Sequence, residues 1–317
     1  MIQAIFAPLA AGFAGAAGLR DDAAVVSPQP GMDLVVTTDS LVADVHFLST
    51  DDPALIARKA LRVNLSDLAA KGADARGYLL AIALSPAQDE GWLKRFAQGL
   101  AEDQARFGCP LIGGDTVATP GPLTITLTAL GEVPEGRAVR RGGGRPGDMV
   151  YVSGTIGDGA LGLKAVRGEL SGSGADALKQ RYWLPEPRLA LVPALLAYAT
   201  AAMDISDGLI GDLGLLCHAS GVSADIEAGR VPLSAAAREI VASMPGMREV
   251  CLAGGDDYEI LCAVPPSQAP AFEQASAAAG VTVTAIGRLV EGTLPPVCRD
   301  EHGRPMTFSR LSYSHIA

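Results

Sequence analysis

Stretches with the apolar period of strands alternate with stretches that have the period of helices along almost the whole chain. The predicted strands are residues 33–38, 77–84, 123–133, 149–153, 202–205, 222–226, 258–264 and 281–289. The predicted helices are residues 53–71, 90–107, 159–167, 187–198, 209–218, 235–244 and 268–279. This alternation indicates a mixed α/β protein, and the low aromatic content of 5% agrees with tightly packed α/β layers more than with a β-sandwich.

The chain length and one basic, glycine-rich stretch predict two domains. A chain of 317 residues is long for a single core, and RRGGGRPG at residues 140–147 reads as a flexible link between two predicted strands. We therefore expect an N-terminal domain of residues 1–140 and a C-terminal domain of residues 141–317. The motifs LIGGDT and LAGGDD, one in each half, are compatible with two related domains.

Composition excludes several classes of protein. The net charge is −10, which argues against binding nucleic acid through a broad basic surface. The apolar first 19 residues carry no Lys or Arg before the apolar stretch and are interrupted by Pro8, Gly12 and Gly15. They therefore predict a short amphipathic helix rather than a secretion signal or a membrane span. Five cysteines without a C-x-x-C pair predict buried thiols in a reducing cytoplasm.

Aspartates recur at the predicted strand ends, in loops and after glycine pairs, and one lies within a predicted helix. The strand-end, loop and glycine-pair residues are Asp22, Asp39, Asp115, Asp204, Asp207 and Asp256, and the helix residue is Asp67. Any one of them alone is most simply a turn residue or a helix cap. Together with the hydroxyls of Thr37, Thr38 and Ser206, however, they form a set of oxygen donors of the kind that Mg²⁺ accepts, with phosphate completing its shell.

The helix predicted at residues 53–71 leaves two interpretations of Asp67 open. Asp67 and Lys71 are four residues apart and could form a surface ion pair. The rest of the helix is rich in Leu, Val and Ala, so a polar stripe containing Asn64, Asp67 and Lys71 could instead face a site.

Phosphate-binding motifs give mixed signals. No P-loop sequence occurs, whereas Gly157, Gly159 and Gly162 follow a predicted strand and open a helix as in a dinucleotide-binding turn. No second strand ending in an acid follows at the expected distance, so an NAD-dependent oxidoreductase is the lesser interpretation. A tight glycine turn without a ligand explains the same residues.

Single residues leave similar alternatives. His46 is either a structural hydrogen-bonding residue or a substrate contact, and Arg141 is either a solvated charge or a phosphate clamp. There is no G-x-S-x-G motif and no Cys with a convincing His partner. This is consistent with metal-assisted chemistry on phosphate.

The ordered motifs resemble those of the thiamine-monophosphate kinases, in the superfamily of aminoimidazole ribonucleotide synthetase and selenophosphate synthetase. They are DDAAVV, TTDSLVADVHF, KALRVNLSDLAAKGADA, LIGGDT, PGDMVYVSGTIGDGALGL, MDISDGLIGDL and GGDDYEI, from about Asp21 to the C-terminus. The resemblance implies a two-domain PurM-like α/β fold with mixed sheets, whose N-terminal domain dimerises through its sheet. It also implies direct transfer of the γ-phosphoryl group of ATP to thiamine monophosphate in the cytoplasm, with several Mg²⁺ ions.

Site residues follow from the same resemblance, motif by motif. The implied Mg²⁺ ligands, direct or through water, are Asp22, Thr37, Thr38, Asp39, Asp67, Asp115, Asp204 and Asp207. The implied ATP contacts are Gly114, Asp115, Arg141 and Ser206, and the implied thiamine contacts are His46, Asp256 and Tyr313. We expect Asp39, Asp67 and Asp115, with Asp204 and Asp207, to form a metal bed between the domains.

The chain departs from the family pattern at three points. Arg20 replaces the glycine usually found before two aspartates, Asp256 replaces a glutamate, and the usual Tyr-Asp-His-Phe is Tyr313-Ser-His-Ile. A selenophosphate synthetase is disfavoured because residues 1–19 contain neither Cys nor Lys.

The implied chemistry requires no general base, since a phosphate monoester acceptor is mostly ionised at neutral pH. Alternatives to the kinase are another ATP-dependent synthetase of the superfamily, the NAD-dependent oxidoreductase, and a non-catalytic nucleotide-binding regulator. Part of the acidic excess is then functional, and the metal-free protein should bind ATP poorly.

Overall fold

The computed structural model describes residues 2–312, which divide into two units. The first comprises residues 1–68 and 73–138, and the second comprises residues 69–72 and 139–317. Each unit is built on its own sheet, as expected for a two-domain mixed α/β chain. Within the described residues, no helix is both long enough and apolar enough to cross a membrane.

The first unit is a four-stranded sheet with long helices. Its elements are α1 (Ile2–Ile5), β1 (Met32–Val42), α2 (Pro53–Ala70, whose last two residues belong to the second unit), β2 (Asp74–Leu84), α3 (Glu90–Phe107), β3 (Leu111–Ala118) and β4 (Thr124–Pro134). The strand order is β1-β4-β2-β3, with only β2 and β3 parallel. In place of the predicted amphipathic helix, the first 19 residues form the single turn α1 and two 3₁₀ segments, Ala7–Ala10 and Ala14–Leu19.

Helix α2 is buried almost all round, and its two buried cations, Lys59 and Arg62, both make hydrogen bonds. Leu61, Leu65 and Leu68 are fully buried. Arg62 Nε donates to Asp103 Oδ2 of α3 at 2.6 Å, and both side chains are buried. This ion pair links α2 to α3, and the buried charges of Arg62 and Asp103 compensate each other.

The sheet of the first unit is covered on one face and open on the other. Leu80 and Ile82 of β2 are buried, while Leu79, directly before Leu80, points to the other face and is 37% exposed. On the same open face, Val36 of β1 is 57% exposed and Val117 of β3 is 48% exposed. The alternation follows directly from the two-residue period of strands.

The second unit is a six-stranded mixed sheet of order β10-β7-β9-β5-β8-β6 with apolar clusters on both faces. Its elements are β5 (Met149–Ser153), α4 (Asp158–Val166), α5 (Ala175–Trp183), α6 (Val192–Tyr198), β6 (Ala201–Ile205), α7 (Leu209–Ser220), β7 (Ser223–Glu227), α8 (Ala235–Ser243), α9 (Met247–Ala253), β8 (Glu259–Val264), α10 (Ala269–Ala278), β9 (Val283–Val290) and β10 (Val297–Arg299). Val150 and Val152 of β5 enter one cluster, and Tyr151 between them enters the other.

The structure corrects several sequence-based boundaries. Strands β3 and β10 and helices α5 and α9 were not predicted. The helix predicted at residues 187–198 is regular only at Val192–Tyr198, after a 3₁₀ turn. The expectation of buried thiols is confirmed, since all five cysteines are free and buried.

The basic stretch at residues 140–147 is not the flexible link that we expected. A Cβ at Gly142 would lie 2.5 Å from Ala219 O, and one at Gly143 would lie 2.5 Å from Thr200 O. The glycines are therefore required for close packing within the second unit, while Arg141 is exposed.

Candidate active site

In the first unit, one hydrogen bond joins two of the predicted ligands across the covered face of the sheet. Thr37 Oγ1 of β1 donates to Asp67 Oδ2 of α2 at 2.5 Å. Asp39, two residues after Thr37, shares this face because side chains alternate along a strand. Asp39 lies inside β1 and not at the strand end that the sequence predicted.

The bond to Thr37 favours the site interpretation of Asp67. Asp67 is half-buried on an otherwise buried stretch of α2, and its carboxylate points to β1. The Lys71 ammonium donates to Ala202 O at 2.7 Å within the second unit. Asn64, on the same stripe, is fully buried; its Nδ2 donates to Ala60 O, and its Oδ1 has no hydrogen-bond partner among the described residues.

The register of the sheet places Thr38 and Asp115 on the opposite, open face. Thr38 pairs with Thr128 of β4, and their hydroxyls are 2.9 Å apart. Asp115 pairs with Ala81 of β2, which is also exposed. The predicted acids of the first unit therefore form two groups on two faces, rather than the single bed that we expected.

A cavity of about 820 Å³ lies over the open face, beneath the N-terminal segment. Its lining includes Asp21 and Asp22 from that segment, Gly114 and Asp115 from β3, and Thr128 from β4. The structure thus brings the predicted metal ligand Asp22 to the same cavity as the predicted nucleotide residues Gly114 and Asp115.

The Gly113-Gly114-Asp115 sequence is part of a strand and not the turn that we predicted. Gly114 has φ of 155°, and a Cβ there would lie 1.9 Å from Leu80 O of the neighbouring strand. Only glycine allows this approach. Asp115 is exposed, and its Oδ1 accepts a hydrogen bond from the Thr116 amide at 2.8 Å.

His46 lies in a tight turn directly after β1. Its Nδ1 accepts a hydrogen bond from the Val42 amide at 3.0 Å, so the neutral ring carries its proton on Nε2. Lys59 of α2 donates to the His46 carbonyl at 3.2 Å. The ring orientation is thereby fixed by the backbone.

In the second unit, Asp204 lies near the end of β6 as predicted, and a loop of residues 206–208 follows. The Asp212 carboxylate, on the first turn of α7, accepts hydrogen bonds from the amides of Asp207 and Gly208, both at 3.1 Å. Burial, together with nearby Asp207, raises the pKa of Asp212 to about 7, although the two amides and Arg141 act in the opposite direction. Asp212 was not among the predicted site residues, although an acid in the first turn of a helix is a capping signal.

Backbone hydrogen bonds hold a second loop, which contains Asp256, against the first loop. The Asp256 amide donates to Ser206 O at 2.9 Å, and the Tyr258 amide donates to Ile205 O at 2.8 Å. A Cβ at Gly255 would lie 2.3 Å from Ser206 O, so glycine is required there. Asp256 has a positive φ of 71°, a conformation that is uncommon for aspartate.

The second aspartate of this motif, Asp257, accepts hydrogen bonds from backbone amides of the predicted dinucleotide turn. Its two oxygens accept hydrogen bonds from Gly157 at 2.7 Å and Gly159 at 2.9 Å. Burial raises the pKa of Asp257 to about 8. Because the Asp257 side chain already accepts hydrogen bonds from these amides, the glycine motif is explained without a dinucleotide.

Glu259 is a further buried acid that the sequence did not single out. It accepts hydrogen bonds from Ser153 at 2.6 Å and Arg181 at 2.7 Å, and it pairs with Arg188 through two nitrogens. Its charge is compensated inside the second unit, which indicates a structural role.

The donor chemistry of both units fits Mg²⁺, since the predicted ligands offer only carboxylate and hydroxyl oxygens. Across residues 2–312, no three His, Cys, Asp or Glu side chains are already arranged around a point that could hold a metal ion. Tyr313, a predicted thiamine contact, lies outside the described residues.

Comparison with known proteins identifies the family. Models of AIR synthase-related proteins match the chain over residues 20–133 (N-terminal domain) and 145–295 (C-terminal domain). A thiamine-monophosphate kinase from Caulobacter vibrioides is 47% identical over 317 residues, which cover 99% of this chain and 89% of the relative. The chain belongs to the thiamine-monophosphate kinase family.

Solved structures of this family share the fold. Thiamine-monophosphate kinase from Stenotrophomonas maltophilia K279a is 36% identical, with a TM-score of 0.82 and 91% coverage of both chains. AaThiL complexed with AMPPCP and TMP is 31% identical, with a TM-score of 0.80 and coverage of 93% of this chain and 91% of that one. The expected two-domain PurM-like fold is confirmed.

Proposed function

We propose that this protein transfers the γ-phosphoryl group of ATP to thiamine monophosphate, giving thiamine diphosphate and ADP. The observation that carries the proposal is the 47% identity to a thiamine-monophosphate kinase over 99% of the chain. AaThiL, at 31% identity, has been solved with AMPPCP and TMP. The bond formed joins an acceptor phosphate oxygen to the γ-phosphorus, and the bond broken is that between the γ-phosphorus and the β,γ-bridging oxygen.

The open-face cavity of the first unit is the proposed nucleotide site. It is large enough for a nucleotide, and Gly114 and Asp115 line it together with Asp22. From the second unit we propose Arg141, which is exposed and always charged, and Ser206 as further ATP contacts.

Three groups of residues are proposed to hold Mg²⁺. In the first unit they are Thr37, Asp39 and Asp67 on the covered face of the sheet and Asp22, Thr38 and Asp115 on its open face. In the second unit the group is Asp204 and Asp207. When bound, Mg²⁺ supplies charge neutralisation for phosphoryl transfer between two anions. The structural contribution of the chain is to fix Asp67 through Thr37 and the loop of Asp207 through Asp212.

The acceptor is proposed to contact His46, Asp256 and Tyr313. The acceptor phosphate is mostly ionised at neutral pH, so no side chain has to remove a proton from it. His46 presents a ring whose orientation is fixed by Val42, and the backbone of Asp256 is fixed by Ser206.

We also propose a homodimer in the cytoplasm. Outside the cavity, the open sheet face carries exposed Val36 and Val117, an apolar surface that a second copy would cover. The five free, buried thiols support a reducing compartment.

Product analysis tests the proposed function. Purified protein with ATP, Mg²⁺ and thiamine monophosphate should yield equimolar ADP and thiamine diphosphate. Unphosphorylated thiamine and the precursor of aminoimidazole ribonucleotide serve as control acceptors and should not be consumed. ATP turnover only with the aminoimidazole precursor would assign another synthetase of the superfamily, and ATP binding without turnover would assign a regulator.

A further inference from the structure

The end of the described chain, residues 306–312, packs against the second unit. The Met306 amide donates to Cys298 O of β10 at 2.8 Å. Met306 and Phe308 are partly buried against the apolar cluster that contains Ile205 and Leu213. Residues 306–312, here called the tail, are therefore anchored at their start by ordinary core packing.

Helix α9 holds the middle of the tail through one carboxylate. The amide and the hydroxyl of Ser309 both donate to Glu249 Oε1, at 2.6 and 2.5 Å. These hydrogen bonds lower the pKa of Glu249, so the acceptor is charged at neutral pH and the bonds are charge-assisted. Helix α9 ends at Ala253, and Gly254, Gly255 and Asp256 follow at once.

Helix α7 receives the end of the tail at a glycine. A Cβ at Gly211 would lie 2.4 Å from Ser312 Cβ and 3.1 Å from Leu311 O. The tail and a side chain at position 211 therefore exclude each other. Helix α7 begins at Leu209, directly after the loop that contains Ser206 and Asp207.

We propose that Glu249 and Gly211 form a dock for the tail, and that the docked tail sets the affinity for the phosphate acceptor. The tail bridges the two helices that begin or end at the loops of Ser206 and Asp256, and those loops are hydrogen-bonded to each other. Docking thus holds Asp256, the proposed acceptor contact, in place. Glu249 is a positioning residue, since the hydrogen bonds of its carboxylate within residues 2–312 go to the tail. The inference rests on the proposed function for its kinetic readout.

A pair of glycine substitutions in one helix tests the dock at Gly211. G211A inserts a methyl group where Ser312 lies, whereas G214A meets only Pro296 Cδ at 3.9 Å, an ordinary contact. Both changes favour the helix to the same degree. We expect G211A to raise the KM for thiamine monophosphate about fivefold or more, the factor for one lost hydrogen bond. The KM for ATP, and all constants of G214A, should change less than about twofold.

Two substitutions of Glu249 and a proteolysis experiment test its role in the dock. E249A removes both bonds to Ser309, whereas the side-chain oxygen in E249Q can still accept them, so E249Q should restore most of the acceptor affinity. Arg310 lies inside the tail, and trypsin cleavage there releases residues 311–317. We expect E249A and G211A to speed this cleavage severalfold, read by mass spectrometry, with E249Q and G214A close to wild type.

Combining E249A with deletion of residues 309–317 decides whether Glu249 acts through the tail. The deletion alone should raise the KM for the acceptor, and E249A should add nothing to it. Additive effects, or an unchanged acceptor KM in both G211A and E249A, would overturn the dock. Absence of kinase activity in the wild type would overturn the proposed function, while the proteolysis comparison would still report on docking.

Discussion

At the scale of single residues, Asp67 is the proposed metal ligand whose position the structure defines most closely. Its carboxylate is held by Thr37, so D67N can keep that hydrogen bond through its carbonyl oxygen while losing the negative charge. We expect kcat at saturating ATP to fall at least about tenfold. This factor is the lower bound for the effect of losing a residue that supports a metal site. The Mg²⁺ concentration for half-maximal activity should rise as well.

The control for D67N is E90Q, which removes the same charge from an exposed helix position, where Glu90 pairs only with Lys94. It should leave kcat and the Mg²⁺ dependence unchanged. Wild-type turnover of D67N at saturating Mg²⁺ would remove Asp67 from the metal ligands. The measurement is initial-rate kinetics across an Mg²⁺ titration.

Asp257 predicts a pH dependence of stability. Burial raises its pKa to about 8 in the folded chain, so the native state keeps a proton that the unfolded state releases. The free energy of unfolding should therefore fall as pH rises from about 4 to about 8, by about 1.4 kcal/mol per pH unit from this group.

The D257N variant isolates that contribution, because Asn cannot titrate. Urea unfolding at pH 6 and pH 8 should show wild type losing stability relative to D257N. D257N itself should be less stable at both values, since its amide nitrogen cannot accept from Gly157 or Gly159. Parallel pH profiles would mean that Asp257 is ionised in the fold.

At the scale of elements, the sequence located the long helices well and the acids less well. Helix α3 matches its prediction at both ends, because Asp89 caps its start through the Trp92 amide and Gly108 ends it with a left-handed conformation. Local signals of this kind are readable from sequence.

Strand β3 shows which features could not be predicted from the sequence. Its two glycines look like a turn, yet Gly114 is required by the approach of Leu80 O from a neighbouring strand. The face on which Asp115 lies depends on the register with β2, which has an irregularity between Tyr78 and Leu79. Pairing partners and register are tertiary properties, so the separation of Asp115 from Asp39 was not predictable.

The open face of this sheet carries the prediction for the homodimer. Val36 is 57% exposed on β1, and V36D would place a charge in the proposed interface. We expect the wild type to have twice the mass of one 32.4 kDa chain, and V36D to shift towards one chain. L294D, at a residue 77% exposed in a loop of the second unit, is the control. Light scattering after size exclusion measures both, and a monomeric wild type would contradict the proposal.

At the scale of the whole molecule, the net charge of −10 and the anionic substrates oppose each other. Part of that charge lines the proposed nucleotide cavity, where Asp21, Asp22 and Asp115 would face a polyphosphate. An uncompensated pair of like charges about 4 Å apart costs about 4 kcal/mol near a protein surface. We therefore expect ATP to need a cation in order to bind, and the acidic excess to couple nucleotide affinity to Mg²⁺.

Removal of the metal tests this coupling directly. With EDTA in place of Mg²⁺, we expect the Kd for ATP to rise at least about tenfold. A part of the charge repulsion is enough for this factor, so the expectation holds even when salt screens the rest. Adenosine carries no phosphate, so any binding of adenosine should be independent of Mg²⁺. Isothermal titration calorimetry measures both ligands under both conditions. If ATP bound equally well in EDTA, the carboxylates of the cavity would not be cation ligands, and their charge would serve solubility alone.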